Sequence, residues 1–68
     1  MSDITDADCD EFLDTLLRHF KGQLTEWELS AFPDMQGRRK AGRLTTFSPK
    51  QREVIDGAMS RCARGYGR

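Results

Sequence analysis

Three times in 68 residues a hydroxyl residue is followed, at the third position, by a side chain able to reach back to its amide. Thr5 is followed by Asp8, Thr25 by Glu28 and Ser48 by Gln51. In such a box the hydroxyl accepts from the third amide of a helix, and the later side chain accepts from the first. Each box therefore satisfies backbone donors that a helix start leaves orphaned. Three starts in a chain this short leave little room for strands. They predict an all-α fold, a single-domain bundle of three to four short helices.

Apolar spacing fills in the helices. Cys9, Phe12, Leu13, Leu16, Leu17 and Phe20 recur as one helical face. They predict a first helix from Asp6 to Phe20, ended by Gly22. The second helix opens with Leu24 and Leu29 placed to clasp its first turn as a hydrophobic staple. Pro33 then falls inside the pattern. Proline removes a backbone donor and clashes with the preceding turn, which predicts a kink near Ala31–Phe32 or a break that restarts at Pro33. Gly42 suits the residue just past the helix end, where a left-handed backbone is common. In the connection GRLTTFS, Leu44 and Phe47 are expected to pin the chain to the core. Pro49 fits the first position of the third helix, whose stripe is Val54, Ile55, Ala58, Met59 and Cys62. The expected core is Phe12, Leu16, Leu17, Phe20, Trp27, Phe32, Met35, Val54, Ile55 and Met59. The single domain spans 1–68, with frayed ends at about 1–4 and 64–68.

A chain of this length buries roughly 60% of its unfolded surface. At 37% hydrophobic and 32% charged residues the core is thin, which leaves a role for a partner or for self-association. The start MSDITDADCDEF is acidic where a secretory signal is basic, and no apolar run follows it. A cytoplasmic protein is expected, with no membrane span and with Cys9 and Cys62 as reduced, buried thiols. Because one begins its helix and the other ends one, an antiparallel arrangement would bring the two together.

Formal net charge is zero, yet the halves differ. Residues 1–34 hold nine acids and two bases, whereas residues 35–68 hold nine bases and two acids. Either the halves attract each other on folding, or they present two surfaces, one suited to a polyanion. Arg38, Arg39, Lys40 and Arg43 end the second helix, while Lys50 and Arg52 open the third. Together they are candidate phosphate contacts. Arg64 and Arg68 add cations, and Tyr66 an aromatic for stacking on an unpaired base. The expected function is a non-catalytic nucleic-acid-associated module of low sequence specificity. With four to six phosphate contacts, its log–log salt slope on duplex DNA would be roughly −4 to −5. This reading requires the arginine-rich side to stay open rather than be covered by the acidic half. The alternative is a protein-interaction module, a regulator or inhibitor of a larger complex, acting through Asp10, Glu11 and Asp14 on the acidic first helix.

Other chemistry finds little support. Asp6, Asp8 and Asp10 resemble the start of a calcium loop, but its sixth position is Glu11 rather than glycine and its twelfth is Leu17 rather than glutamate. No metal or other cofactor is implied. His19 is expected as a boundary residue near a helix C-terminus. The connection before Lys50 is longer than a helix-turn-helix allows. No nucleophile–base arrangement or phosphate-binding glycine loop is legible, so no enzyme is expected.

Residues 24–55 carry a pattern that resembles a helix pair of small phage, prophage and plasmid proteins, L-T-x-W-E-x-x-F followed by G-R-x-L-S-x-K-Q-x-x-V-L. The matching residues are Leu24, Thr25, Trp27, Glu28, Phe32, Gly42, Arg43, Lys50, Gln51 and Val54. The chain departs from the pattern at Pro33 and in its longer connection after Arg43. The resemblance implies a mobile-element origin.

Overall fold

The computed structural model describes residues 4–66, with side chains described from 4 to 63. The expectations for the outermost ends, including Arg68, lie outside the described residues. Helix α1 spans Asp6–His19, α2 Glu26–Lys40 and α3 Pro49–Tyr66, with one 3-10 turn at Lys21–Gln23. There is no strand among the described residues.

All three start signals form as the sequence predicts. The Thr5 hydroxyl accepts from the Asp8 amide at 3.1 Å, and Asp8 accepts from the Thr5 amide at 3.1 Å. Thr25 and Glu28 exchange bonds of 3.2 and 2.9 Å. Ser48 and Gln51 do so at 3.1 and 2.9 Å. Removing the oxygen of such a cap costs about 1 kcal/mol, so the boxes set where each helix begins.

The ends hold two corrections. Gly22 does not stop α1. The chain leaves helical geometry earlier, at Phe20 (φ −121°, ψ 17°), whose ring turns into the core. Gly22 lies in the 3-10 turn that follows. Pro33 neither breaks α2 nor restarts it, so the helices number three rather than four. The proline costs α2 one amide donor, but its ring is exposed, and Phe32 and Met35 on either side are buried. Their burial outweighs the missing bond.

The C-terminus of α2 closes as expected at Gly42, which has φ +76°. The Arg43 amide donates to the Arg38 carbonyl at 2.9 Å, and the Gly42 amide to the Arg39 carbonyl at 3.2 Å. These are the two bonds of a Schellman cap, which glycine enters without the Cβ penalty.

Helix α1 is the central element. It packs against both α2 and α3. Its buried residues Cys9, Leu13 and Leu16 meet Phe32 and Met35 of α2 and Ile55, Ala58 and Cys62 of α3 in one cluster. Phe47 is 1% exposed, and Leu44 packs against the cluster, so the connection is pinned as its sequence implies. Phe12, Leu17, Val54 and Met59 are half-buried.

Trp27 is the main error in the expected core: it is 58% exposed. The inward stripe of α2 is Glu28, Phe32, Met35 and Arg39, at helical spacing, and Trp27 lies to one side of it. Its ring meets the buried Phe32 edge-on at 6.4 Å.

Cys9 and Cys62 are buried free thiols. Burial pushes the Cys9 thiol up to about 11. The two do not share an end of the bundle. Asp6 pairs with Arg52, so α1 and α3 start at the same end. Glu28 pairs with Arg61, so α3 finishes beside the start of α2, at the far end. Helices α1 and α3 thus run in the same sense.

Gly57 sits exposed in α3, and a Cβ added there would meet nothing within 4 Å. Gly57→Ala is expected to stabilise the fold by about 0.5–1 kcal/mol, because alanine has less freedom to lose on folding. A thermal melt should rise by roughly 4–8 °C per kcal/mol in a domain of this size.

Candidate interaction surface

The two charged halves fold onto each other. Among the described residues, three ion pairs join distant parts of the chain, and each couples an N-terminal acid to a C-terminal base.

Arg39 makes the most elaborate of these. Its Nε and Nη2 donate to the two Asp10 oxygens at 2.9 and 2.7 Å. Its Nη1 donates to the carbonyls of Leu44 and Thr45 at 3.1 and 2.7 Å. The guanidinium lies 5.1 Å from the centre of the Phe47 ring, within range of a cation–π contact. The Asp10 bond, opposed in part by burial, raises the Arg39 pKa above its ordinary value.

Asp6 plays the matching role on α1. It accepts from the Phe47 amide at 3.0 Å, from the Thr46 hydroxyl at 2.7 Å and from Arg52 Nη2 at 3.2 Å. The Phe47 amide is the main cause that holds its carboxyl below the usual range. At the far end Arg61 donates to the buried Glu28 at 2.6 Å. Burial pushes the Glu28 carboxyl up, but the bonds from Arg61 and the Thr25 amide outweigh it and hold the carboxyl low.

The predicted phosphate contacts therefore divide. Arg39 and Arg52 hold the fold together, and the surface they were expected to form is covered by Asp10 and Asp6. Arg38 is exposed but pairs with Asp34 one turn back at 3.0 Å. Lys40, Arg43 and Lys50 are exposed, with no ion pair among the described residues. The side chains of Arg64 and Tyr66 lie outside the described ones.

The acidic candidates divide in the same way. Asp10 is held by Arg39, and Asp14 pairs with Arg18 at 3.1 Å. Glu11 is exposed. A shallow cleft of about 270 Å³ lies between α1 and α2, lined by Asp10, Asp14, Gln36, Arg39 and Lys40. Its opposed charges favour neither an anion nor a cation.

What remains open is the outward face of α2. Glu26, Ser30, Pro33, Gly37 and Ala41 follow helical spacing and are exposed, and Trp27 flanks them. Pro33, Asp34, Gly37, Arg38, Ala41 and Arg43 line a shallow groove along this face, where Gly37 contributes no side chain. A Cβ there would meet nothing within 4 Å. Sequence reasoning missed this surface by placing Trp27 in the core. The signal that could have found it is the run of small residues at Ser30, Gly37 and Ala41 on one side of α2.

His19 is exposed in the last turn of α1, as expected of a boundary residue. No group of three or more His, Cys, Asp or Glu side chains among the described residues could hold a metal ion. Among the described residues no helix is long and apolar enough to cross a membrane. Comparisons with protein-family models, curated protein sequences and solved structures gave no match.

Proposed function

We propose that the protein is a small non-catalytic protein-interaction module of phage or prophage origin, which meets its partner through the outward face of α2. One observation carries the reading. Among the described residues, Trp27 is the large apolar side chain that folding leaves exposed, at 58%, and it lies on the same side of α2 as the shallow groove lined by Pro33, Asp34, Gly37, Arg38, Ala41 and Arg43. Tryptophan is among the residue types enriched at the hot spots of protein interfaces. The acidic first helix fits the role less well, because Asp10 and Asp14 already have cationic partners.

The test is photo-crosslinking in living cells, with a photoreactive residue placed at Ser30 or at Glu53. The Ser30 probe is expected to form a protein adduct that Trp27→Ala abolishes, and the Glu53 probe none. The reading fails if Ser30 yields no adduct, or if both positions yield the same adducts.

A second reading rests on Lys40, Arg43 and Lys50, the predicted phosphate contacts that are exposed and without ion pairs among the described residues. It retains a nucleic-acid-associated module with about three phosphate contacts and a salt slope of roughly −3 on duplex DNA. Titration of single- and double-stranded DNA and RNA at two ionic strengths measures that slope. The protein-interaction reading expects no binding at physiological salt.

A further inference from the structure

We infer that the outward face of α2 pairs with the same face of a second copy, antiparallel, to form a two-fold dimer. The inference rests on the protein-interaction reading above and names the partner of that surface.

The face is self-complementary. A two-fold interface places the same patch on both sides, so residues near one end of the helix meet those near the other. With the axis near Asp34, Trp27 of one copy falls opposite Ala41 of the other, at the end of the groove that begins at Pro33. Glu26, exposed and without an ion pair among the described residues, falls opposite the partner copy's Gly42 and so next to its Arg43, also exposed and without an ion pair among them. Ser30 falls opposite Arg38 and next to Gly37. Small side chains at 30, 37 and 41 let two backbones approach closely, which strengthens dispersion contacts. The axis brings two Asp34 side chains near each other, but each is already neutralised by its own Arg38 at 3.0 Å.

Charge order fixes the orientation. The acid lies at the start of α2 and the free bases at its end. An antiparallel pair joins acid to base at both ends, whereas a parallel pair would set like charges together. The area is limited to one helix face, so the dimer belongs to the weak class of interfaces below about 1,200 Å² in total, in exchange with monomer at micromolar concentrations.

Sedimentation equilibrium of the full chain tests this over a concentration series reaching about 1 mM. A monomer–dimer equilibrium is expected. Trp27→Ala should weaken it about thirtyfold, the loss typical of a tryptophan hot spot. Gly37→Leu should abolish it while circular dichroism stays helical, because the added side chain enters open space in the monomer. Glu26→Arg and Arg43→Glu should each weaken association, and the two together should restore it. A chain that stays monomeric throughout overturns the inference, as does a dimer indifferent to Gly37→Leu or a charge swap that restores nothing. In the crosslinking experiment, an adduct of twice the chain's 7.8 kDa marks self-pairing. A larger adduct alone overturns the dimer but leaves the interaction reading intact, and no adduct removes both.

Discussion

Phe32→Ala should leave the chain largely unfolded at 25 °C. Phe32 is fully buried in α2 and meets residues of all three helices in the core cluster. Truncating a buried phenylalanine costs about 3–5 kcal/mol, from lost transfer energy and from the cavity left behind. A domain of this length has roughly 3–10 kcal/mol to lose. The residue also supports α2 next to Pro33, where the helix lacks one backbone bond, so the damage falls where α2 is weakest. Circular dichroism at 222 nm and a urea titration measure the effect. A variant melting within a few degrees of the parent would show that the core repacks around the gap. Phe12→Ala, at a half-buried site, should cost markedly less.

Arg61→Ala should cost about 1–2 kcal/mol at neutral pH. This lies below the 3–5 kcal/mol of a fully buried pair, because nearly half of the Arg61 side chain faces water whereas Glu28 is 8% exposed. The loss should depend on pH. In the parent, Glu28 is held below its ordinary value of 4.5. Its contribution to stability is therefore present above about pH 4.5 and lost as pH falls through the folded value. Without Arg61, burial faces less opposition and the carboxyl titrates higher, so protonation no longer destabilises that variant to the same extent. The gap between the two proteins should narrow from pH 7 to pH 3.5, read as urea midpoints at each pH. A gap that stays constant would mean that Arg61 acts by packing its stem rather than by charge.

The helices were legible because their signals are local. A cap needs only residues three apart, and the apolar face of α1 repeats without interruption. Gly42 and Pro49 were readable for the same reason, since each answers to backbone geometry at its own position. The inward face of α2 was not legible. Two of its four inward residues, Glu28 and Arg39, are charged, and each is satisfied by a partner about thirty positions away in sequence. No local pattern announces such a pairing. Placing Trp27 in the core was the natural error, because hydrophobicity was read without knowing that a carboxylate and a guanidinium would fill the inward side. The opposed halves were visible as composition, and composition alone left both outcomes open. Which acid would meet which base depended on α1 and α3 starting at the same end.

The stretch between α2 and α3 has the outward look of a loop but behaves as a clasp. Arg39 reaches two of its carbonyls, Asp6 its Phe47 amide and Thr46 hydroxyl, and the Phe47 ring is sunk in the core. Adding residues there would pull several of these atoms out of reach at once. An engineer wishing to splice in a tag or a reporter would do better at the turn around Gly22, where the backbone borders open space.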